Sequence, residues 1–144
     1  MTTFVVDVSV AAKWLLPASD EPLAKEAHRM LLDFKQRDTN FIVPDLFWAE
    51  LANVLWKAVR KGRTSREVAQ HHMAELQSLH LPTFPSFEFA SSALGLAVKY
   101  NRTAYDSFYL ALALETHSTF ITADERLANA VAAYLPVRWL GSLY

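Results

Sequence analysis

Four carboxylates occupy positions where chemistry is possible. Asp7 interrupts "FVVDVSVAAKWLLP" (residues 4–17), between an apolar run and an Ala/Leu-rich segment. Glu50 lies in "VPDLFWAELANVLWKAV" (43–59), Asp106 in "NRTAYDSFYLALALE" (101–115) and Asp124 in "TFITADERLANAV" (119–131). Each has a structural explanation when taken alone. Ser9 reads as a helix N-cap with Asp7 near the positive helix end, and Thr103 with Asp106 has capping-box spacing. Thr122 with Glu125 has the same spacing, and either Thr122 or Asp124 can cap the helix that follows. Glu50 reads as part of a solvated face with Asn53, Lys57, Arg60 and Lys61, opposite an apolar arc of Trp48, Leu51, Leu55, Trp56 and Val59. Its neighbours Leu46 and Val54 make its surroundings partly dry.

The four in one chain imply more. Asp7 and Asp124 both fall just past the C-terminal ends of strand-like runs, and open parallel sheets bind ligands in the crevice beyond those ends, where the strand order reverses. Carboxylates converging there repel one another and lose solvent. A hard divalent cation with oxygen ligands, Mg²⁺ or Mn²⁺, relieves both costs. Such an ion lowers the pKa of a bound water and stabilises charge on phosphoryl oxygens, which suits hydrolysis of a phosphodiester.

Competing chemistries are poorly supplied. The histidines (28, 71, 72, 80 and 117) are scattered and the chain has no cysteine, so no zinc or thiolate site is expected. Gly62, Gly95 and Gly141 are the only glycines, which excludes a glycine-rich phosphate loop. Ser9 stands where a D-x-D phosphatase carries its second acid. A flavodoxin-like domain phosphorylated on Asp is disfavoured because no lysine is evident near the C-terminal strands.

The elements that must position these acids are legible from periodicity. Short, largely apolar strands are expected at 4–8, 41–44, near 80–83, 119–122 and 137–140, as for strands covered by helices on both faces. Helical patterns fill 22–37, 45–61, 65–79, 87–100, 104–117 and 124–134, with a shorter one from Ser9. Thr64 with Glu67 also has capping-box spacing, and Pro17, Pro22, Pro44, Pro82 and Pro136 sit at junctions. Strands alternating with helices argue for an α/β fold with a parallel sheet between helical layers.

The chain has 144 residues, is 52% apolar and 20% charged, and carries a formal net charge of −1, as expected for one folded domain over 1–144 rather than a strongly basic nucleic-acid binder. No apolar stretch approaches the roughly 18 residues of a membrane span. The N-terminus lacks the basic start of a signal peptide. With the absence of cysteine, these features lead us to expect a cytoplasmic protein.

The segments "VVDVSVAAKWLLP", "VPDLFWAELANVLWKA", "TAYDSFYLALA" and "ITADERL" resemble, in order and spacing, the four acidic motifs of PIN-domain proteins, and most closely the VapC-type toxins of toxin–antitoxin pairs. The resemblance runs from Phe4 to about Leu127. It implies a three-layer α/β/α sandwich with a short, mainly parallel sheet, and a metal-dependent endoribonuclease using Mg²⁺ or Mn²⁺. It implies that Asp7, Glu50, Asp106 and Asp124 are the catalytic, metal-holding quartet, with Ser9, Asn53 and Thr122 as polar companions. It also implies RNA as substrate, a small antitoxin as partner, and a homodimer.

Beside the resemblance, Lys57, Arg60, Lys61, Arg63 and Arg66 cluster at a helix junction, and the first three share the face of Glu50. That stripe is a candidate RNA track; an exposed hairpin kept soluble by charge is the alternative. The Trp48/Trp56 side is expected in the core, with a protein–protein surface as the alternative. The rival function is a PIN-fold binding module whose acidic cluster is structural and non-catalytic.

Overall fold

The computed structural model describes residues 1–144. Five strands, β1 (Thr2–Val6), β2 (Thr39–Pro44), β3 (Thr83–Phe84), β4 (Thr119–Thr122) and β5 (Val137–Trp139), form one sheet in the order β3-β2-β1-β4-β5. Every pairing is parallel. Seven α-helices cover it: α1 (Val8–Leu15), α2 (Ala24–Lys35), α3 (Leu46–Arg60), α4 (Arg66–Gln77), α5 (Ala90–Tyr100), α6 (Ala104–Glu115) and α7 (Glu125–Val131). The expected α/β fold with helices on both faces is present.

Register and aromatic stacking show the layering. Phe41 of β2 stacks on Trp14 of α1 and Phe34 of α2, whereas Phe120 of β4 stacks on Tyr109 of α6. Phe41 aligns with Phe4, and Phe120 with Val5. Successive residues of a strand face opposite sides, so α1 and α2 lie on one face and α6 on the other. The chain moves from β1 to β2 on one side and reaches β4 on the other. The order therefore reverses between β1 and β4, the crevice where ligands bind in such sheets.

Several boundaries differ from the sequence expectation, each for a local reason. The first strand is Thr2–Val6 rather than 4–8, because Asp7 ends the ladder and starts the helix. Its amide donates to the Ile121 carbonyl at 3.0 Å, and its own carbonyl accepts from the Val10 and Ala11 amides. The second helix starts after Leu23, which sits in the left-handed region at φ 61°. The segment expected as one helix over 87–100 opens with a 3-10 turn, Ser86–Phe89, before α5. Ser65, not Thr64, caps α4 by accepting from the Val68 amide.

Candidate active site

Asp7 is the best fixed of the acids. It is 8% exposed, and its Oδ2 accepts from Ser9 Oγ at 2.8 Å and from Thr122 Oγ1 at 2.7 Å. Both hydroxyls are themselves oriented by the chain leaving β4. The Ala123 amide donates to Ser9 Oγ at 3.1 Å, and the Asp124 amide donates to Thr122 Oγ1 at 3.0 Å. With its acceptor side occupied, each hydroxyl proton is directed at Asp7. These bonds stitch the end of β1 to the end of β4 and aim one carboxylate edge.

Two expected caps are corrected here. Asp7 holds the N-cap position of α1, and no side chain caps that helix, because the Ser9 hydroxyl is turned to Asp7 and Ala123. Thr122 does not cap α7, because it is fully buried in β4 and faces Asp7. Asp124 does, accepting from the Leu127 amide at 3.1 Å through Oδ1.

Asp106 is the third residue of α6, whose start is capped as expected: the Asp106 amide donates to Thr103 Oγ1 at 3.1 Å. Tyr105 and Leu114 of that helix are exposed. Glu50, half-buried on α3, accepts from the Tyr109 hydroxyl at 2.8 Å through Oε1. Sequence reasoning missed Tyr109, which reads as core in an apolar helix. Its signal was the three-residue offset from Asp106, which puts both on one helix face.

The charges are mutually felt. Burial raises the Asp7 carboxyl above its ordinary range, the Thr122 and Ser9 hydrogen bonds oppose the shift, and the charge of Asp106 adds to it. Burial also raises Glu50, against the Tyr109 hydrogen bond and with help from Asp7 and Asp106. Asp106 is raised by burial, with Thr103 and Arg102 opposing and Asp124 adding. Burial and the charges of Asp7 and Glu50 push the Tyr109 hydroxyl far up, so it stays a donor. Asp7, Glu50 and Asp106 thus feel one another's charge, and Asp124 joins the set through Asp106. None of them is paired with a lysine or arginine.

That uncompensated, all-oxygen donor set fits a hard divalent cation and no soft one. No three of the acidic side chains stand at ligating spacing in this arrangement, so a bound ion requires side-chain adjustment. Asp7 Oδ1, Glu50 Oε2, Asp124 Oδ2 and both carboxylate oxygens of Asp106 take no side-chain hydrogen bond.

The surroundings are less uniform than expected. Asn53 is exposed and makes no side-chain hydrogen bond, so it is not tied to the acids. Lys57, Arg60 and Lys61 are exposed, with the Arg60 guanidinium 5.1 Å from the centre of the Trp56 ring. Arg63 is not part of a free stripe. It is bonded to Glu21 at 2.8 Å and lies 3.9 Å from Asp20. Trp56 is 53% exposed rather than core. It lines an apolar groove of about 450 Å³ between α3 and α4 with Leu55, Val59 and Met73, a groove that includes none of the four acids.

A parallel sheet between helical layers, with unpaired carboxylates gathered where the strand order reverses, defines an acid-centred α/β protein. The PIN domain model matches residues 4–132, and the chain belongs to the PIN domain family. It is 31% identical over 131 residues to Ribonuclease VapC3 of Pyrobaculum aerophilum, covering 90% of this chain and 95% of that one. Three solved structures share its fold. PAE2754 from Pyrobaculum aerophilum matches with a TM-score of 0.71 at 22% identity, covering 99% of this chain and 86% of that one. VapBC2 from Rickettsia felis, bound to a DNA fragment from its promoter, matches with a TM-score of 0.65 at 10% identity, over 96% and 98% of the two chains. A toxin–antitoxin complex from Klebsiella pneumoniae matches with a TM-score of 0.62 at 16% identity, over 96% of each chain. No helix is long and apolar enough to cross a membrane.

Proposed function

We propose that this chain is a Mg²⁺- or Mn²⁺-dependent endoribonuclease that hydrolyses RNA phosphodiester bonds and acts as the toxin of a toxin–antitoxin pair. The observation that carries the reading is the gathering of four carboxylates, none in a salt bridge with a lysine or arginine, with Asp7, Glu50 and Asp106 raised by burial and by neighbouring acids. Similarity to a VapC ribonuclease over nearly the whole chain supports it. Asp7, Asp106 and Asp124 hold the cation, and Glu50 holds it or orients the attacking water. When bound, the cation supplies a water of lowered pKa and stabilises charge on the phosphoryl oxygens. Ser9 and Thr122 keep Asp7 in one rotamer, so the side-chain adjustment that a bound ion requires falls on the other acids. Lys57, Arg60 and Lys61 bind the phosphate backbone.

The apolar α3–α4 groove, with Arg66 in its lining and Arg60 at Trp56, supports a small antitoxin whose docking segment is apolar with acidic flanks. Exposed Leu94, Val98 and Tyr105 on α5 and α6 support a homodimer. The test is incubation of purified protein with total RNA in EDTA and then with Mn²⁺. Cleavage is expected only with the metal; cleavage undiminished in EDTA by contaminant-free protein overturns the metal mechanism.

A second reading is a PIN-fold binding module with a structural acid cluster. The structural duties of Asp7, bound by two hydroxyls, and Asp124, which caps α7, favour it. The same incubation separates the two, since a binder cleaves nothing in either condition.

A further inference from the structure

Glu50 is held differently from the aspartates. Asp7 is fixed by two hydroxyls and Asp124 by the amide it caps, while Asp106 is a short side chain on the capped first turn of α6. Glu50 is longer, lies on a half-buried helix face, and has a single side-chain partner, the Tyr109 hydroxyl at 2.8 Å. A glutamate loses considerable rotamer freedom when fixed, so whatever fixes it before the reaction lowers the cost of using it.

Tyr109 is built for that task. It is 1% exposed, and its ring stacks on Phe120 of β4 with centroids 5.1 Å apart and planes 21° from parallel. A ring clamped in this way gives its hydroxyl one location. Tyr109 follows Asp106 by one helical turn, so the face of α6 that carries one acid also reaches across to the other. The Tyr109 hydroxyl therefore joins α6 to α3. Because the bond ends on Oε1, Oε2 is left for the site.

We propose that Tyr109 is a positioning residue whose hydroxyl selects the Glu50 rotamer and presents Oε2 to the acid cluster. The proposal rests on the nuclease reading above. Groups that hydrogen-bond to metal-coordinating side chains typically account for 10–100-fold in metal affinity or activity when removed, and Tyr109 stands in that relation to Glu50.

The test is Tyr109→Phe, which keeps the ring and its stacking and removes only the hydroxyl. Melting in EDTA should match wild type, while Mn²⁺ affinity measured by calorimetry on the metal alone should fall about tenfold or more. On RNA, kcat should fall and KM should not. Side-chain relaxation of Glu50 in the metal-free variant should report greater disorder. A double-mutant cycle closes the argument: Glu50→Gln should cost less kcat in the Tyr109→Phe background than in wild type. Wild-type Mn²⁺ affinity and kcat in Tyr109→Phe overturn the proposal, as do strictly additive effects in the cycle. So does a large loss of stability in EDTA that accounts for the lost activity. If the wild-type chain itself neither binds Mn²⁺ nor cleaves RNA, the nuclease reading fails first, and that result is visible before any variant is compared.

Discussion

Asp7 and Asp106 share a site and differ in what holds them, so substitutions at the two should separate charge from structure. Asp106 makes no cross-element side-chain hydrogen bond, and its carboxyl is raised chiefly by burial, with Asp124 adding charge. A carboxyl raised in the folded state contributes nothing below its unfolded pKa. It then destabilises progressively as pH climbs to the folded value, with the full penalty above it. Asp106→Asn should therefore abolish RNA cleavage while leaving metal-free protein at pH 8 as stable as wild type or more so, checked by thermal melts in EDTA. Asp7→Ala instead strands two hydroxyl donors, the buried Thr122 and the half-buried Ser9, and should cost about 1–3 kcal/mol of stability in the same melts. Glu21 shows the opposite sign. Burial disfavours its charge, but Arg63 and Lys13, bonded at 2.8 and 3.2 Å, outweigh burial and hold the carboxyl below its ordinary value of 4.5. That stability is present above 4.5 and is lost as pH falls through the lower folded value. Lys13 is only 5% exposed, so Glu21→Ala leaves a buried charge unpaired and should cost about 3 kcal/mol at pH 7. The gap between wild type and variant should close as melts are taken toward pH 3.

At the scale of elements, two glycines make a matched pair. Gly62 terminates α3 at φ 74°, and Gly95 lies inside α5 with no left-handed torsion; a Cβ added to either meets nothing within 4 Å. Sterics with neighbours therefore drop out and only the backbone counts. Gly62→Ala should destabilise by about 1 kcal/mol, whereas Gly95→Ala should stabilise by about 0.5–1 kcal/mol through helix propensity, both read from denaturant midpoints. The α3–α4 hairpin that Gly62 turns also presents the basic residues. Because Arg63 is committed to Glu21, the candidate RNA track is narrower than the sequence suggests. Replacing Lys57, Arg60 and Lys61 by Ala should weaken RNA binding and flatten its dependence on salt, with little change in melting. An unchanged slope in titrations at several salt concentrations returns these side chains to a merely solvated face.

For the whole molecule, the outer side of α5 leaves Leu94 at 63% and Val98 at 77% exposed, one helical turn apart on a face without its own cover. A second copy of the chain is the partner the family resemblance implies. Leu94→Glu with Val98→Glu should then yield monomers by light scattering while the fold persists by circular dichroism. Variants that scatter as wild type rule out this face as a contact between copies.

The alternation of strands and helices, the parallel sheet and the four acids were legible in the chain because they rest on local signals. Short β-branched and aromatic runs such as Phe4–Val6 and Phe41–Val43 read as covered strands, and acids placed beside them are costly enough to stand out. The sequence also identified the Thr103 cap, where donor and acceptor are three residues apart. It failed where two distant segments decide the outcome. Ser9 has the composition of a cap and becomes a donor to Asp7 because the β4 exit, 114 residues away, supplies the Ala123 amide to its oxygen. Thr122 changes role for the same reason. Arg63 looks like a free charge until the chain returns Glu21 to it, and Tyr109 looks like core until Glu50 meets its hydroxyl from another helix. Periodicity and residue type report what a side chain does to its own backbone. Which hydroxyl proton points at which carboxylate depends on contacts made only when the sheet closes, and these the tertiary structure alone decided.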